Sequence, residues 1–391
     1  MTGATGVPTG AAGATIHEVV LSGPRGQELL AFESAGHHTR GDLDDRARRT
    51  ARRLQSYGVG PGRTVAVVLP NRIQFVDVIL ATSLLGGVVV PLHVAARGEM
   101  LDRALRLADP AVLVGAATLE AQWRPVVEAR GIPAVVVDDR DGTDGSGARD
   151  GTGGDPAAIL DGGPDPDGGP VRDDELPEVR PGDPVIVYAS SGTTGPAKGV
   201  TLCHRALVEM TVTAQTVMRY TADDVAYTPM PLFHANAFVF TFLSAVRAGA
   251  RTIIAERFHA SDFWRRLTDF GVTKTSLLGS APSLLLLQPE GEHDHAHRVE
   301  LIAAVPRPPD VADFEARFGV PVTEFYGSTE ANLPIGIPYG SERRPRSCGR
   351  LLPGWEHMIA DEEGNPVPPG EPGELCIRPT KPNVVSSGYW G

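Results

Sequence analysis

Tyr188-Ala-Ser-Ser-Gly-Thr-Thr-Gly-Pro-Ala-Lys198-Gly-Val200 is the stretch that decides the fold, and its first residue ends the apolar run Val185–Tyr188. Glycines let backbone N–H groups turn toward a ligand, hydroxyls add donors, and the lysine adds a positive charge. This combination suits a polyphosphate. The order is not that of a Walker A loop, because Lys198 precedes a glycine and not a serine or threonine. It is not the dinucleotide-binding Gly-x-Gly-x-x-Gly pattern either.

The residue order of this loop resembles the phosphate loop of the adenylate-forming superfamily, which includes acyl-CoA synthetases, peptide-synthetase adenylation domains and luciferases. Three more segments follow in the order that the family requires. Residues 229–237 resemble its histidine motif, residues 325–331 resemble its threonine and glutamate motif, and residues 373–390 resemble the last strand and turn of its large domain. The resemblance covers roughly Thr39 to Gly391.

The resemblance implies a role in nucleotide binding or catalysis for a set of residues in these motifs. The β- and γ-phosphates of ATP are expected to be bound by Ser191, Gly192, Thr193, Thr194, Gly195 and Lys198. Thr329 is expected to bind the α-phosphate, and Glu330 to ligate Mg2+, which prefers oxygen ligands. Tyr326 is expected near the adenine. The rest of the nucleotide site is expected to comprise Ala303, Ala304, Val305, Glu324, Phe325, Gly327 and Ser328.

His234 is the candidate residue at the junction of the acid and the phosphates. A lone histidine beside apolar residues is more often a buried core residue. The family's matching histidine lies between the two sites, so we expect His234 to orient the carboxylate or to gate the path of the thiol. The expected acyl pocket comprises His234, Phe238, Phe242, Gly279, Ser280, Ala281 and Asn332. These stretches carry no charged residue, which favours a largely apolar carboxylic acid over an amino acid.

Short apolar strands alternate with amphipathic helices along most of the chain, which indicates parallel sheets covered on both faces. The predicted fold is α/β, with two αβαβα-type subdomains, largely parallel sheets and a small C-terminal β-barrel-like subdomain. We expect a flexible arm over residues 1–15, a first subdomain over 16–137, an acidic linker over 138–182, a second subdomain over 183–344 and the β subdomain over 345–391. Thr39-Arg-Gly-Asp42 predicts a capping box that begins a helix.

The net charge of −12 is concentrated in one stretch. Residues 138–178 contain thirteen acidic residues and three arginines, so they carry ten of the twelve net negative charges. The same stretch is rich in glycine and proline, a composition that predicts a solvated segment. Acidity therefore says little about partners, and we expect neither nucleic acid nor membrane among them.

Three widely spaced cysteines indicate neither a disulfide framework nor a zinc site, which is typical of a reducing cytosol. The first fifteen residues lack the pattern of a signal peptide, and no apolar run reaches the ~18 residues of a membrane span. We therefore expect a cytoplasmic protein. The oligomeric state stays open.

Two features depart from the family pattern. Ala303-Ala-Val-Pro306 replaces a more glycine-rich segment beside the adenine, and its larger side chains would narrow the nucleotide slot. The chain also ends at Gly391, before the positions where the family carries its ribose-binding aspartate and the C-terminal lid domain with its catalytic lysine. We expect a large N-terminal domain that binds an acid and its adenylate but is nearly inactive alone.

The leading hypothesis is the AMP-binding domain of an acid–CoA ligase, with ATP/AMP, Mg2+ and coenzyme A as cofactors. The other partners would be a small carboxylic acid and its acyl-adenylate. Two alternatives remain open at this point. One is an acyl-AMP ligase that loads a carrier protein, and the other is a homologue that binds an acyl-adenylate but forms it poorly.

Overall fold

The computed structural model describes residues 14–33, 36–138, 169–189 and 198–390, and these form a mixed α/β fold with two seven-stranded sheets. The sheets are largely parallel, and smaller antiparallel sheets accompany them. The predicted fold class is therefore confirmed. In chain order the strands are β1 (Glu28–Phe32), β2 (Gly36–Thr39), β3 (Thr64–Val68), β4 (Val88–Pro91), β5 (Val112–Ala116), β6 (Ala134–Val137), β7 (Pro184–Ala189), β8 (Gly199–Cys203), β9 (Val225–Thr228), β10 (Arg251–Ile254), β11 (Lys274–Leu278), β12 (Leu301–Val305), β13 (Val322–Thr323), β14 (Phe325–Ser328), β15 (Asn332–Gly336), β16 (Arg350–Leu351), β17 (Trp355–Ala360), β18 (Glu374–Pro379) and β19 (Gly388–Tyr389).

Helices cover the sheets, and one of them is a π-helix. They are α1 (Ile16–Leu21), α2 (Arg40–Gln55), α3 (Ile73–Leu84), α4 (Gly98–Ala108), α5 (Glu120–Arg130), α6 (His204–Met218), the π-helix Asn236–Leu243, α7 (Ser244–Arg247), α8 (Phe263–Asp269), α9 (Ala281–Leu286) and α10 (Val311–Phe318). Within the described ranges, no helix is long and apolar enough to cross a membrane.

Sheet membership does not follow the contiguous boundaries that the sequence suggests. The first sheet has the order β19-β8-β7-β4-β3-β5-β6, and the second has the order β13-β12-β11-β9-β10-β1-β2. Strands β1 and β2 thus join the second sheet, although they belong to the predicted first subdomain. Strands β7 and β8 join the first sheet, although they follow residue 183, where the second subdomain was predicted to begin. A strand's own residues reveal its burial, but its neighbours come from distant parts of the chain.

The local prediction for α2 is confirmed. Thr39 and Asp42 form both hydrogen bonds of a capping box at its start. Four apolar side chains at helical spacing form its buried face: Leu43, Ala47, Ala51 and Leu54. Asp77 on α3 accepts both hydrogen bonds from Arg46 on α2, at 3.0 and 2.6 Å, which fixes the two helices against each other.

The end of the predicted acidic linker packs against α2. Val171 is buried, and its N–H donates to the Arg48 carbonyl at 3.3 Å. The Glu175 carboxylate accepts from Arg52 Nη2 at 2.8 and 2.7 Å. Residues 169–178 are therefore part of the folded unit and not a solvated linker, because one apolar side chain and complementary charges anchor an otherwise polar stretch.

Two histidines, the partly buried His17 and the fully buried His204, hold α1 against the rest of the fold. His17 Nδ1 is hydrogen-bonded to Ser83 Oγ at 2.7 Å, and the Ile16 N–H donates to His204 Nδ1 at 3.2 Å. Burial lowers the pKa of His17 from 6.5 to about 4, a shift that Arg48 reinforces and Glu18 opposes. Burial, with the nearby His17, lowers the pKa of His204 to about 3. Both imidazoles are therefore neutral in the folded protein at neutral pH.

We predict that acid destabilises the fold through this pair. Both pKa values are lower in the folded than in the unfolded state, so their stabilisation is complete above pH 6.5 and is lost as the pH falls toward 4. For His17 the loss amounts to about 3 kcal/mol. Urea denaturation midpoints at several pH values should fall across this window. The decrease should be smaller in a His17→Gln/His204→Gln double variant and unchanged in His357→Gln, whose side chain is exposed. An equal decrease in the double variant would contradict this assignment.

Candidate active site

Several predicted site residues lie at the carboxyl ends of parallel strands in the second sheet. His234 follows β9, Gly279 follows β11, and Glu324 follows β13, while Val305 is the last residue of β12. Loops at the carboxyl ends of parallel strands meet at one edge of an open sheet, where ligands bind in this class of fold. The topology therefore gathers residues that are about ninety positions apart in the chain.

One cavity of about 320 Å³ lies at this edge. It contains the histidine of one motif and the threonine of another, together with apolar side chains. Its lining comprises Met210, His234, Ala235, Asn236, Phe240, Leu278, Phe325, Gly327, Ser328, Thr329 and Leu333. The structure thus brings His234 and Thr329 to the same cavity.

Phe238 and Phe242, two residues of the predicted acyl pocket, do not line this cavity. Both are fully buried in the core, where their ring centroids lie 5.7 Å apart. Phe240 lines the cavity instead, and its ring lies 4.3 Å from that of Phe325. The segment is a π-helix, whose wider turn gives a different periodicity from the α-helix that the sequence pattern suggests.

Gly279, Ser280 and Ala281 also lie outside the lining. Gly279 and Ser280 are exposed, and Ala281 is buried at the start of α9. The residue before them, Leu278, contributes the wall of the cavity at the end of β11. The three residues therefore follow the cavity wall by one to three positions, and their role in an acyl pocket stays a prediction.

Asn332 is buried and acts on the backbone and not in the cavity. Its Nδ2 donates to the Ala206 carbonyl at 3.0 Å and to the Val384 carbonyl at 2.9 Å. Its backbone has a φ of 60°, a left-handed conformation that asparagine tolerates. This residue ends the turn between β14 and β15, where Ser328 lies opposite Asn332. Asn332 therefore positions the turn that carries Thr329 and Glu330.

The same turn requires Gly327. A Cβ atom at this position would lie 2.0 Å from the Asn332 carbonyl oxygen, so any other residue would displace the turn. At its tip, the Glu330 carboxylate forms no hydrogen bond or ion pair with the residues that the structure describes, and the Thr329 side chain forms none either. An unpaired carboxylate beside an unpaired hydroxyl fits a metal-bound phosphate group.

The residues predicted to bind the β- and γ-phosphates, Ser191–Gly195, lie outside the described part of the chain. The strands that flank them are described: β7 ends at Ala189, which pairs with Gly199 of antiparallel β8. Lys198 is exposed, and its Nζ lies 4.6 Å from the centroid of the Tyr389 ring. Lys198 therefore lies directly before β8.

Residues 383–390 connect this loop to the Glu330 turn. The Ser386 N–H donates to the Glu330 carbonyl at 2.9 Å, and the Trp390 N–H donates to the Gly199 carbonyl at 2.7 Å. Between them, the Ser387 N–H donates to the Thr201 carbonyl at 3.0 Å. One short segment therefore joins the Glu330 turn to β8 through backbone hydrogen bonds, and its sequence gave no sign of this role.

The predicted adenine-side residues differ in exposure. Ala303 and Ala304 are buried inside the second sheet, where they pair with Ser276 and Leu277, while Val305 is partly exposed. Only Val305 therefore lies where a larger side chain could narrow a nucleotide slot. Tyr326 is 51% exposed and available for stacking.

Arg307 is a residue of this region that the sequence reasoning left unassigned. Its N–H donates to Glu324 Oε1 at 3.0 Å, and its Nε lies 3.8 Å from Glu324 Oε2. Both side chains are largely buried. The pair holds the Glu324 carboxylate in place at the carboxyl end of β13.

His234 is exposed at the cavity, and its imidazole forms no hydrogen bond with the described residues. Desolvation by the surrounding residues lowers its pKa, and the nearby His93 lowers it further. The Phe233 ring lies between the two, 4.8 Å from His93 and 4.6 Å from His234. His234 is therefore neutral at neutral pH and can accept or donate a hydrogen bond. The sequence analysis did not name His93, and the position of this residue just after β4 is the sequence signal that could have identified it.

Asn71 links the first sheet to the loop that carries His234. Its Nδ2 donates to the carbonyls of Met230 and Ala255, at 2.9 and 2.8 Å, and its Oδ1 accepts from the Leu232 N–H at 2.7 Å. The residue is buried, so water cannot replace these bonds. Asn71 was not identified from the sequence, because its role depends on β3 ending opposite this loop, and no local pattern shows that arrangement.

We predict that Asn71→Ala destabilises the fold and weakens ligand binding in the cavity. The substitution leaves three buried backbone groups without their partner, at roughly 1–3 kcal/mol for each unsatisfied group. The urea midpoint should fall, and calorimetric affinity for a nonhydrolysable acyl-adenylate should decrease at a temperature where the variant is folded. Asn365→Ala, which removes only an exposed bond to Asp361, is the control. Unchanged affinity would show that Asn71 contributes to stability alone.

The chain is similar to curated acid–CoA ligases. It is 28% identical to a sulfoacetate–CoA ligase from Cupriavidus necator, over 93% of this chain and 68% of that protein. It is also 28% identical to an oxalate–CoA ligase from Arabidopsis thaliana, over 93% of this chain and 69% of that protein. A crotonobetaine/carnitine–CoA ligase from Salmonella heidelberg is 26% identical, over 95% and 71% of the two chains.

Solved structures share the fold. The ATP-bound MatB of Rhodopseudomonas palustris superposes with a TM-score of 0.79 at 23% identity, over 97% of this chain and 72% of that one. A benzoate CoA ligase from Burkholderia xenovorans LB400 gives a TM-score of 0.81 at 20% identity, over 96% and 73%. The family of AMP-binding enzymes matches residues 20–390. The chain therefore belongs to the AMP-binding enzymes of the adenylate-forming superfamily.

Proposed function

We propose that this protein is an acid–CoA ligase that activates a carboxylic acid as an acyl-adenylate and transfers the acyl group to coenzyme A. The observation that carries the proposal is the single cavity lined by both His234 and Thr329, with Glu330 on the same turn as Thr329. The similar proteins from Cupriavidus, Arabidopsis and Salmonella are all CoA ligases, which favours coenzyme A over a carrier protein as the acceptor.

The first step joins two anions. A carboxylate oxygen of the acid attacks the α-phosphorus of ATP, the bond to the β-phosphate oxygen breaks, and pyrophosphate leaves. In the second step the thiol of coenzyme A attacks the acyl carbonyl, and AMP leaves with the bonding electron pair while the thiol proton is released. Preorganised donors and cations are what lower the barrier to such a reaction.

The residues of the cavity can supply these groups. Thr329 would donate its hydroxyl to the α-phosphate, and the neutral imidazole of His234 would hold the carboxylate. The unpaired Glu330 carboxylate would ligate Mg2+, which neutralises phosphate charge when bound. Lys198 and the loop Ser191–Gly195 would bind the departing phosphates. Tyr326 and Val305, at the end of β12, would flank the adenine.

The acid is short. The cavity of about 320 Å³ is at the low end of the roughly 300–1,000 Å³ that ligand pockets span. Most of its wall is apolar, and Met210, Leu278 and Leu333 contribute to it. A short acid with a largely apolar body therefore fits better than a fatty acid.

A homologue that binds an acyl-adenylate but forms it poorly is the second candidate. It is favoured by Val305, whose branched side chain lies partly exposed at the end of β12 opposite Leu278. Pyrophosphate exchange separates the candidates, because only an adenylating enzyme incorporates labelled pyrophosphate into ATP.

We predict that a nonhydrolysable short-chain acyl-adenylate binds more tightly than ATP, by at least tenfold. The adenylate occupies both the cavity and the nucleotide slot, whereas ATP lacks the acyl group and meets Val305. Isothermal titration calorimetry with an acyl sulfamoyladenosine and with ATP–Mg2+ measures the difference. Failure of every short-chain adenylate to bind would overturn the proposed function.

We predict that Glu330→Gln impairs adenylation far more than thioester formation from supplied adenylate. The substitution removes an anionic metal ligand, and the metal-bound pyrophosphate takes part in the first half-reaction only. Lys198→Ala should have a milder effect, because its charge contacts only the departing phosphates. Pyrophosphate exchange and thioester release are measured separately, with the exposed Glu363→Gln as the control. Equal loss of both half-reactions, with circular dichroism unchanged, would show that Glu330 has another role.

A further inference from the structure

Asn236 is the polar residue of the cavity that the motif roles leave unexplained. It follows His234 by two positions, begins the π-helix and lines the cavity beside Phe240 and Leu278. A buried amide normally finds partners for both its oxygen and its nitrogen, because an unsatisfied polar group destabilises the fold by about 1–3 kcal/mol. Asn236 finds only one partner.

The nitrogen of this amide is engaged. Asn236 Nδ2 donates to Ser276 Oγ at 2.9 Å. Ser276 lies on β11 and is fully buried, so its hydroxyl has no access to water. In this orientation the nitrogen edge of the amide faces the sheet.

The oxygen of the same amide is not engaged. Asn236 Oδ1 is buried and has no hydrogen-bond partner among the described residues. The aromatic pair Phe240 and Phe325, at 4.3 Å, offers no donor to it. A carbonyl oxygen can only accept, so its missing partner must be an N–H or O–H group.

We propose that Asn236 selects acids that carry a hydroxyl or N–H group on a short acyl chain. The ligand donor completes the hydrogen bonding of Asn236 Oδ1, and the Asn236–Ser276 bond holds the oxygen in the accepting orientation. This inference rests on the proposed function and names its substrate class. It adds a hydrogen-bond donor to an acid whose remaining surface is apolar.

Sites that hydrogen-bond a substrate group discriminate strongly against analogues that lack it, because the protein group is left unpaired. A methyl group of similar size would pack in the same space but leave Oδ1 unsatisfied. An ether oxygen would present a second acceptor to an acceptor. Both analogues should therefore bind worse than the hydroxy acid.

The test uses acyl sulfamoyladenosines in matched pairs. Lactoyl is compared with isobutyryl, 3-hydroxypropanoyl with butanoyl, and methoxyacetyl serves as the analogue with an acceptor only. Calorimetry on the wild-type chain should show at least one hydroxyacyl compound binding about tenfold more tightly than its alkyl partner and than methoxyacetyl. In Asn236→Leu this preference should disappear while the alkyl compounds retain their affinity.

Ser276→Ala provides a control that keeps the amide. Without the serine hydroxyl the amide can rotate and present either edge, so the methoxyacetyl compound should gain affinity relative to wild type. Equal binding of hydroxyacyl and alkyl compounds by the wild-type chain would overturn the inference and leave the proposed function intact. A preference that survives in Asn236→Leu would also overturn it. Failure of all five compounds to bind would instead contradict the proposed function.

Discussion

The hydrogen bonds of the Asn71 side chain are the constraint on which the site depends. The amide follows β3 of the first sheet and satisfies three backbone groups of the second, two of them in the loop that leads to His234. The bonds are short and buried, so they fix both the distance and the angle at which the carboxyl ends of the two sheets meet. The imidazole then has a defined position against Phe233 and His93, although neither sheet alone contains the complete arrangement.

Backbone geometry positions the turn that carries Thr329 and Glu330. Gly327 allows the turn between β14 and β15 to close against the Asn332 carbonyl, and the Asn332 side chain anchors that turn to α6 and to residue 384. Residues 386–390 then bond in succession to Glu330 and to β8. This turn and β8 are thus joined by one continuous segment, and the side chains of Thr329 and Glu330 form no hydrogen bond with the part of the chain that the structure describes.

The sequence predicted those features that depend on neighbouring residues. The Thr39 capping box, the buried face of α2 and the apolar strands are local patterns, and the motif order identified the family. It failed where partners are distant or the helical period changes. The placement of β1 in the second sheet depends on pairing with β10, more than two hundred residues away. Phe240 replaces Phe238 in the cavity because the helix is a π-helix, and Asn332 binds backbone carbonyls that no sequence pattern indicates.

Polar groups at the two ends of β9 and β11 differ in whether they have partners. At the amino ends, Asp224 and Lys274 form a buried ion pair at 2.7 Å, and Thr273 and the Arg219 carbonyl satisfy their remaining atoms. Loss of either partner would leave a buried charge, so this end is fixed by stability. At the carboxyl ends, the His234 imidazole and Asn236 Oδ1 lack partners within the described chain. Unpaired polar groups are tolerated where a ligand can complete their hydrogen bonds, so the same strands carry satisfied charges at one end and the proposed binding site at the other.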